Sequence, residues 1–301
     1  MGVPRAVLGS EVQRARRTIK ARKNLAGRVR AAVRPVPGEP ALWVGTRSRV
    51  DEPYLVIADL HLGLAATRDR PLGPPESSAP ALAEALIRLA RREEVGGLVI
   101  AGDAKHPIVG APPLLRRTLF DFFAELLRHG LSVEVVLGNH DVGLARCLPR
   151  EVDVRSAKGI VRNGVGIFHG HTWPSATVLR AERLVVGHLH PGVRFAPTRA
   201  DPGGKRRCWL RIEFDEHDGP RRGRRRISAR EMVVLPAYNP VAGTEALNRE
   251  RPGRGRSFLY RRFLAHGTVR AYLLDGTDVG SIRLPRPAPR GQSRKGANSP
   301  P

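Results

Sequence analysis

Five short polar clusters in the middle of this chain carry side chains able to hold divalent cations and to move protons. They are Asp59-Leu60-His61, Gly102-Asp103, Gly138-Asn139-His140-Asp141, His169-Gly170-His171 and Gly187-His188-Leu189-His190. Two divalent ions ~3.5–4 Å apart need a bridging carboxylate plus several terminal oxygen and imidazole ligands. Carboxylates mixed with neutral imidazoles suit borderline ions such as Mn²⁺, Fe²⁺ or Zn²⁺ rather than Mg²⁺ alone. Taken one at a time the clusters say little. An Asp-x-His after a strand also reads as a helix cap with a surface histidine, Gly-Asn-His-Asp as an ordinary turn, and Gly-His-x-His as two exposed imidazoles on one strand face. What separates them from those readings is that all five occur together, each after an apolar run.

The elements that must position these clusters follow from periodicity. Pro53–Ala58, Gly97–Ala101 and Ser132–Leu137 are short apolar runs that read as buried strands. Pro80–Arg92 and Leu114–Arg128 place apolar residues at helical spacing. Strands alternating with helices indicate α/β layering, in which ligand groups gather at the C-terminal strand ends. From about residue 152 the pattern changes to short strands, expected at Val152–Val154, Gly159–Val161, Gly166–Phe168, Arg183–Val186, Arg207–Phe214 and Met232–Leu235, which suggest a second sheet packed on the first. Residues 199–206 and 215–230 read as Gly/Arg-rich loops. A basic arm, helical from Glu11 to Arg34, is expected before the Pro35–Pro40 break. The expected domains are this arm over residues 1–40, a catalytic domain over 41–284 and a disordered basic tail over 285–301. No repeat of 20–50 residues is visible.

In their order the clusters resemble the signature of the calcineurin-like metallophosphoesterases, DxH…GD…GNH[DE]…H…GHxH, over the stretch Asp59 to His190. The resemblance implies an α/β fold, a four-layer αββα sandwich, with two metal ions at one end of its sheets. It further implies that Asp59, His61, Asp103 and His190 hold one ion, and that Asp103 bridges to a second held by Asn139, His169 and His188. His140 would be the acid that protonates the leaving oxygen, and Asp141 would orient it. The implied reaction is in-line attack of an activated water on phosphorus, with no covalent enzyme intermediate. Mn²⁺ is the leading metal, with Fe, Zn or Ni as alternatives.

One departure narrows the resemblance. Many relatives carry GDxxD, whereas here the second motif runs Gly102-Asp103-Ala104-Lys105-His106. With Leu235–Pro240 (LPAYNP), this form looks like the branch of ligase-associated and archaeal helicase-associated DNA-repair phosphoesterases. Lys105 and His106 could contact substrate phosphate or hold Asp103 in place. His171 could replace His169 as ligand, although the family pattern favours His169. His129, His217 and His266 have no motif context and are expected in solvent. Trp173 could stack on a base or simply pack.

Charge bears on the substrate. The net charge is +24. Residues 1–50 hold 12 Lys/Arg against 2 Asp/Glu, residues 51–198 hold 17 against 16, and residues 199–301 hold 23 against 10. The excess therefore flanks a nearly neutral middle, a distribution suited to a polyanion such as nucleic acid. A genome with Arg-biased codons and solvated tails accounts for the same counts. The expected function is a two-metal phosphodiesterase or nuclease acting on nucleic acid or nucleotide products of DNA repair, with possible association with a helicase or ligase. Its rivals are a phosphomonoesterase or cyclic-nucleotide phosphodiesterase, and a non-catalytic nucleic-acid-binding subunit. No run of eighteen apolar residues and no continuous apolar signal region occurs, so neither a membrane span nor a secretory signal is expected. The first 34 residues superficially match an organellar transit peptide. Cys147 and Cys208 lack CxxC partners and are expected as reduced core residues of a cytoplasmic protein. Oligomeric state is left open.

Overall fold

Alternation within each short apolar strand decides how the layers stack, because successive side chains point to opposite faces. The computed structural model describes residues 31–46, 52–64, 75–199, 201–214, 220–222, 225–248 and 258–282. The expected arm as far as residue 30 and the tail from 285 lie outside the described residues, as does His217. The first sheet contains β1 (Ala32–Pro35), β2 (Leu42–Gly45), β3 (Tyr54–Ile57), β4 (Gly97–Ile100), β5 (Ser132–Val136) and β6 (Asp153–Arg155), in that order. Strands β3 to β6 run parallel, while β1 and β2 pair antiparallel at one edge.

The second sheet contains β7 (Ile160–Arg162), β8 (Val165–Phe168), β9 (Arg183–Val186), β10 (Pro191–Phe195), β11 (Gly204–Phe214), β14 (Glu231–Val234) and β15 (Glu245–Ala246). Their order is β15-β10-β11-β14-β9-β8-β7, with β16 (Gly267–Leu273) and β17 (Asp278–Ser281) attached through β11. Arg221–Arg222 (β12) and Arg225–Arg226 (β13) form a separate two-stranded ribbon.

Leu55, Ile57, Leu98 and Ile100 face outward against α1 (Ala79–Arg92) and α2 (Pro113–Arg128), whose Leu82, Leu86, Leu119 and Phe123 complete that core. Their neighbours Tyr54, Val56 and Val99 point the other way and meet Val165, Ile167, Val185 and Trp209 of the second sheet. On the far face of the second sheet, Phe168, Leu184, Val186 and Ile212 pack on Leu259, Phe263 and Leu264, around the short α3 (Phe258–Arg262). The result is the four-layer αββα sandwich. Ser78 caps α1 by accepting from the Ala81 N–H (3.4 Å), an interaction that stabilises a helix by about 1 kcal/mol. Cys147 and Cys208 are buried and free. No helix among the described residues is long and apolar enough to cross a membrane.

Several expectations are corrected. The expected helix does not reach Arg34, because residues 32–35 pair with 42–45 in a hairpin. The first sheet therefore begins before residue 41, inside the expected arm. The strand near residue 153 belongs to the first sheet, paired parallel with β5. Residues 204–206 extend β11, and residues 221–222 pair with 225–226 in place of the expected loop. Finally, His266 is only half exposed, at the end of the segment carrying Leu264.

Candidate metal centre

The parallel strands hand their last residues to one place. Beyond β3 and β4 the ladder continues through the polar clusters: Asp59 N donates to Gly102 O (3.0 Å), His61 N to Asp103 O (2.9 Å) and Leu62 N to Ala104 O (2.9 Å). Five of the seven described non-glycine residues with positive φ are Asp59, His61, Asp103, His188 and His190. Each such residue costs of order 1–3 kcal/mol, and strain of this kind persists where packing enforces it and function uses it. The glycines of two motifs are required by close approach. A Cβ on Gly138 would stand 2.1 Å from Asp103 Oδ1, and one on Gly102 would stand 2.3 Å from His169 Nδ1.

Two groups of donors that include a carboxylate result, Asp59 with His61 and His190, and Asp103 with His169 and His188, while His61, His106 and His140 form a third group of imidazoles alone. Within each group the ligating atoms lie within 4.8 Å of one another. His61 Nε2 is 3.2 Å from His190 Nε2, and His169 Nε2 is 3.2 Å from His188 Nδ1 and 3.1 Å from Asn139 Oδ1. Asp103 Oδ2 lies 3.2 Å from His169 Nε2 and 3.7 Å from His61 Nε2, so one carboxylate reaches both groups. Asp59 is 0% and Asp103 2% exposed, and buried carboxylates need positive partners. Imidazole nitrogens crowded together beside buried carboxylates fit a pair of cations. Ala101 O lies 2.8 Å from His169 Nδ1, which fixes a proton there and leaves Nε2 for an ion.

The electrostatics agree with that use. Burial pushes the Asp59 and Asp103 carboxyls up, but His190 beside the first and His169 beside the second outweigh it, and both lie below the usual carboxylate range. Burial pulls His61 and His188 down to about 4, so both are neutral at pH 7, the state in which an imidazole can ligate. Burial also acts against a proton on His169, yet its hydrogen bond to Asp103 and the charges of Asp103 and Asp59 raise it to about 9. A ligating imidazole must be neutral. Cation uptake at pH 7.5 is therefore expected to expel the His169 proton, and apparent affinity should climb with pH until about 9. Calorimetry in buffers of different ionisation heat reads this directly. A binding heat independent of the buffer would show that no proton leaves.

Around these donors the structure places the remaining candidates. His140 is partly exposed, with Nε2 4.0 Å from Asp103 Oδ2. Asp141 does not touch the His140 ring. Its carboxylate is buried and accepts from the N–H groups of Gly138 (2.8 Å) and Lys105 (3.2 Å), so it shapes the loop instead. Lys105 is fully enclosed, which corrects the substrate-binding option, and His106 Nδ1 stands 3.3 Å from His61 Nδ1. His171 lies outside both donor groups, its ring 5.3 Å from that of His169, and burial pulls it down to about 4. Trp173 packs on Phe258 and Phe263. Sequence reasoning gave no role to Asn239, within LPAYNP. It is buried and donates to Leu60 O (2.8 Å), while Tyr238 N donates to Ala58 O (2.9 Å), so this segment crosses between sheets and latches the Asp59–His61 loop. The signal was the Asn-Pro after β14, legible as a turn but not as a latch.

Residues 52–295 match the family model described as calcineurin-like phosphoesterase. Among solved structures, a Pseudomonas putida nuclease MPE is similar at 17% identity and a TM-score of 0.48, covering 82% of this chain and 100% of that one. Yfce, a phosphoesterase from E. coli, is similar at 15% identity and a TM-score of 0.33, covering 77% of this chain and 99% of that one. No curated protein matches significantly.

Proposed function

This chain belongs to the calcineurin-like phosphoesterase family and is a metal-dependent phosphoester hydrolase, and we propose that it cleaves phosphodiester bonds of nucleic acid. In this reading Asp59, His61, Asp103 and His190 hold one divalent ion, and Asp103, Asn139, His169 and His188 the other. Mn²⁺ is the leading ion, because the donor set is mixed carboxylate and imidazole. Two such ions would supply an acidified water at neutral pH and positive charge for the phosphoryl oxygens. His140, at the edge of the centre, gives its Nε2 proton to the leaving oxygen.

The observation that carries the substrate class is the partition of charge. The stretch bearing the centre is nearly neutral, while residues 1–50 and 199–301 carry 35 Lys/Arg against 12 Asp/Glu, summing 12 with 23 and 2 with 10. Each phosphate neutralised by such residues releases condensed counterions, which favours a long polyanion over a small ester. The Gly102–His106 sequence and the LPAYNP segment support a place among DNA-repair phosphoesterases, with a helicase or ligase as partner.

The test compares a small diester, a small monoester and labelled single- and double-stranded oligonucleotides across Mn²⁺, Fe²⁺, Zn²⁺ and Ni²⁺. A second protein would lack residues 1–30 and 286–301 and have Arg221, Arg222, Arg224, Arg225 and Arg226 neutralised. It should keep small-diester turnover while its log K against log salt becomes shallower by about 0.7–0.9 for each phosphate it no longer neutralises. Identical affinities and slopes for the two proteins would move the substrate to a small nucleotide. Preference for the monoester would make the chain a phosphomonoesterase.

A further inference from the structure

Lys105 is the only buried lysine or arginine among the described residues, at 0% exposure. An ammonium has three donors and no acceptor, so enclosing it demands three acceptors. It finds them in the carbonyls of Pro107, Ile108 (3.1 Å) and His140. The Lys105 backbone N–H meets Asp141 Oδ1, and Asp141 Oδ2 takes the Gly138 N–H. Two loops, 105–108 and 138–141, are thus pinned to each other by one side chain.

Between those loops lies the hydrogen bond that matters for proton transfer, from His140 Nδ1 to His106 O. A carbonyl only accepts, so Nδ1 carries the proton and the neutral ring keeps Nε2 open towards Asp103, 4.0 Å away. The His106 carbonyl holds the ring, and the Lys105 ammonium takes the Pro107 and Ile108 carbonyls that follow it as well as that of His140 itself. Both ends of the Nδ1 hydrogen bond are anchored to the same cation.

We propose that Lys105 is a positioning residue whose ammonium sets the tautomer and aim of the His140 imidazole. The imidazolium bears protons on both nitrogens. As the bond from phosphorus to the leaving oxygen breaks, the Nε2 proton passes to that oxygen, and the ring remains neutral with its proton on Nδ1. This rests on the acid role proposed for His140. A lysine that merely supported the loop would instead predict equal losses for every substrate.

The test begins with long-range ¹H–¹⁵N NMR of the Zn²⁺-loaded protein, the His140 signals being those that disappear in His140→Ala. Wild-type His140 should be the Nδ1–H tautomer, and Lys105→Met should lose that preference. In kinetics, Lys105→Met should keep its metal content and lose ~10²-fold on diesters with alkoxide leaving groups, within the range for general-acid catalysis. It should lose at most a few-fold with a nitrophenolate leaving group. Added to His140→Ala, it should cost nothing further. An Nε2–H tautomer in the wild type, a uniform loss across leaving groups, or additive losses would overturn the proposal. If Lys105→Met does not fold, Lys105→Gln, which keeps two donors, carries the same comparisons. A His140→Ala protein with undiminished turnover on alkoxide diesters would instead remove the acid role, leaving the tautomer result to stand or fall by itself.

Discussion

Asp103→Asn is expected to leave a folded protein that retains at most one tightly held divalent ion and has lost ~10³-fold or more of its diester turnover. The size follows from several kcal/mol of charge stabilisation at a two-metal site, at about 1.36 kcal/mol per tenfold in rate. Asp103 Oδ2 is within 3.2 Å of His169 Nε2 and 3.7 Å of His61 Nε2, so it lies within reach of an imidazole Nε2 from each donor group. Its other oxygen accepts the His140 N–H at 2.9 Å. Asparagine keeps the shape and can still accept that bond, so the loss is one of charge rather than of loop structure. Metal content by elemental analysis, beside turnover in added Mn²⁺, measures both halves. Two ions per chain together with full turnover would remove Asp103 from the bridging position.

The parts of this centre that sequence made legible are those written in residue type and order. Strands β3 and β4 are continuous apolar runs, β5 is an apolar run interrupted by Glu134, α1 and α2 repeat at helical spacing, and the donors follow the strands that aim them. The hairpin of β1 and β2 was hidden because β1 carries Arg34 and ends in Pro35, so it does not read as an apolar strand. Arg34 stacks over Trp43 at 4.8 Å, so a basic residue sits in a strand without being buried. Strand β6 looked like its successors, since composition says nothing about which sheet a connection returns to. Lys105 was beyond reach for a different reason. A lysine is ordinarily exposed, and only the three carbonyls closing around its Nζ reveal that it belongs to the scaffold. Asp141 was hidden similarly: the resemblance implies that it orients His140, but its oxygens turn back to the Gly138 and Lys105 amides.

That arrangement sharpens what should happen on truncating His140 itself. In His140→Ala the backbone stays tied, its N–H to Asp103 Oδ1 and its carbonyl to the Lys105 ammonium, so both donor groups keep their supports. What disappears is an imidazole whose Nδ1 is already committed to His106 O and whose Nε2 faces the centre. The protein should therefore bind two ions as before. It should lose ~10²–10⁴-fold on substrates whose leaving oxygen needs a proton, the range for a general acid. The deficit should shrink steadily as the leaving group becomes more acidic, because an oxygen that departs readily as an anion gains little from protonation. A plot of log rate against leaving-group pKa should thus be steeper for His140→Ala than for the wild type. Parallel plots would mean that His140 stabilises phosphoryl charge rather than delivering a proton. Loss of an ion from the variant would mean that the imidazole is a ligand, and that the ring cluster of His61, His106 and His140 belongs to the metal site rather than to the leaving group.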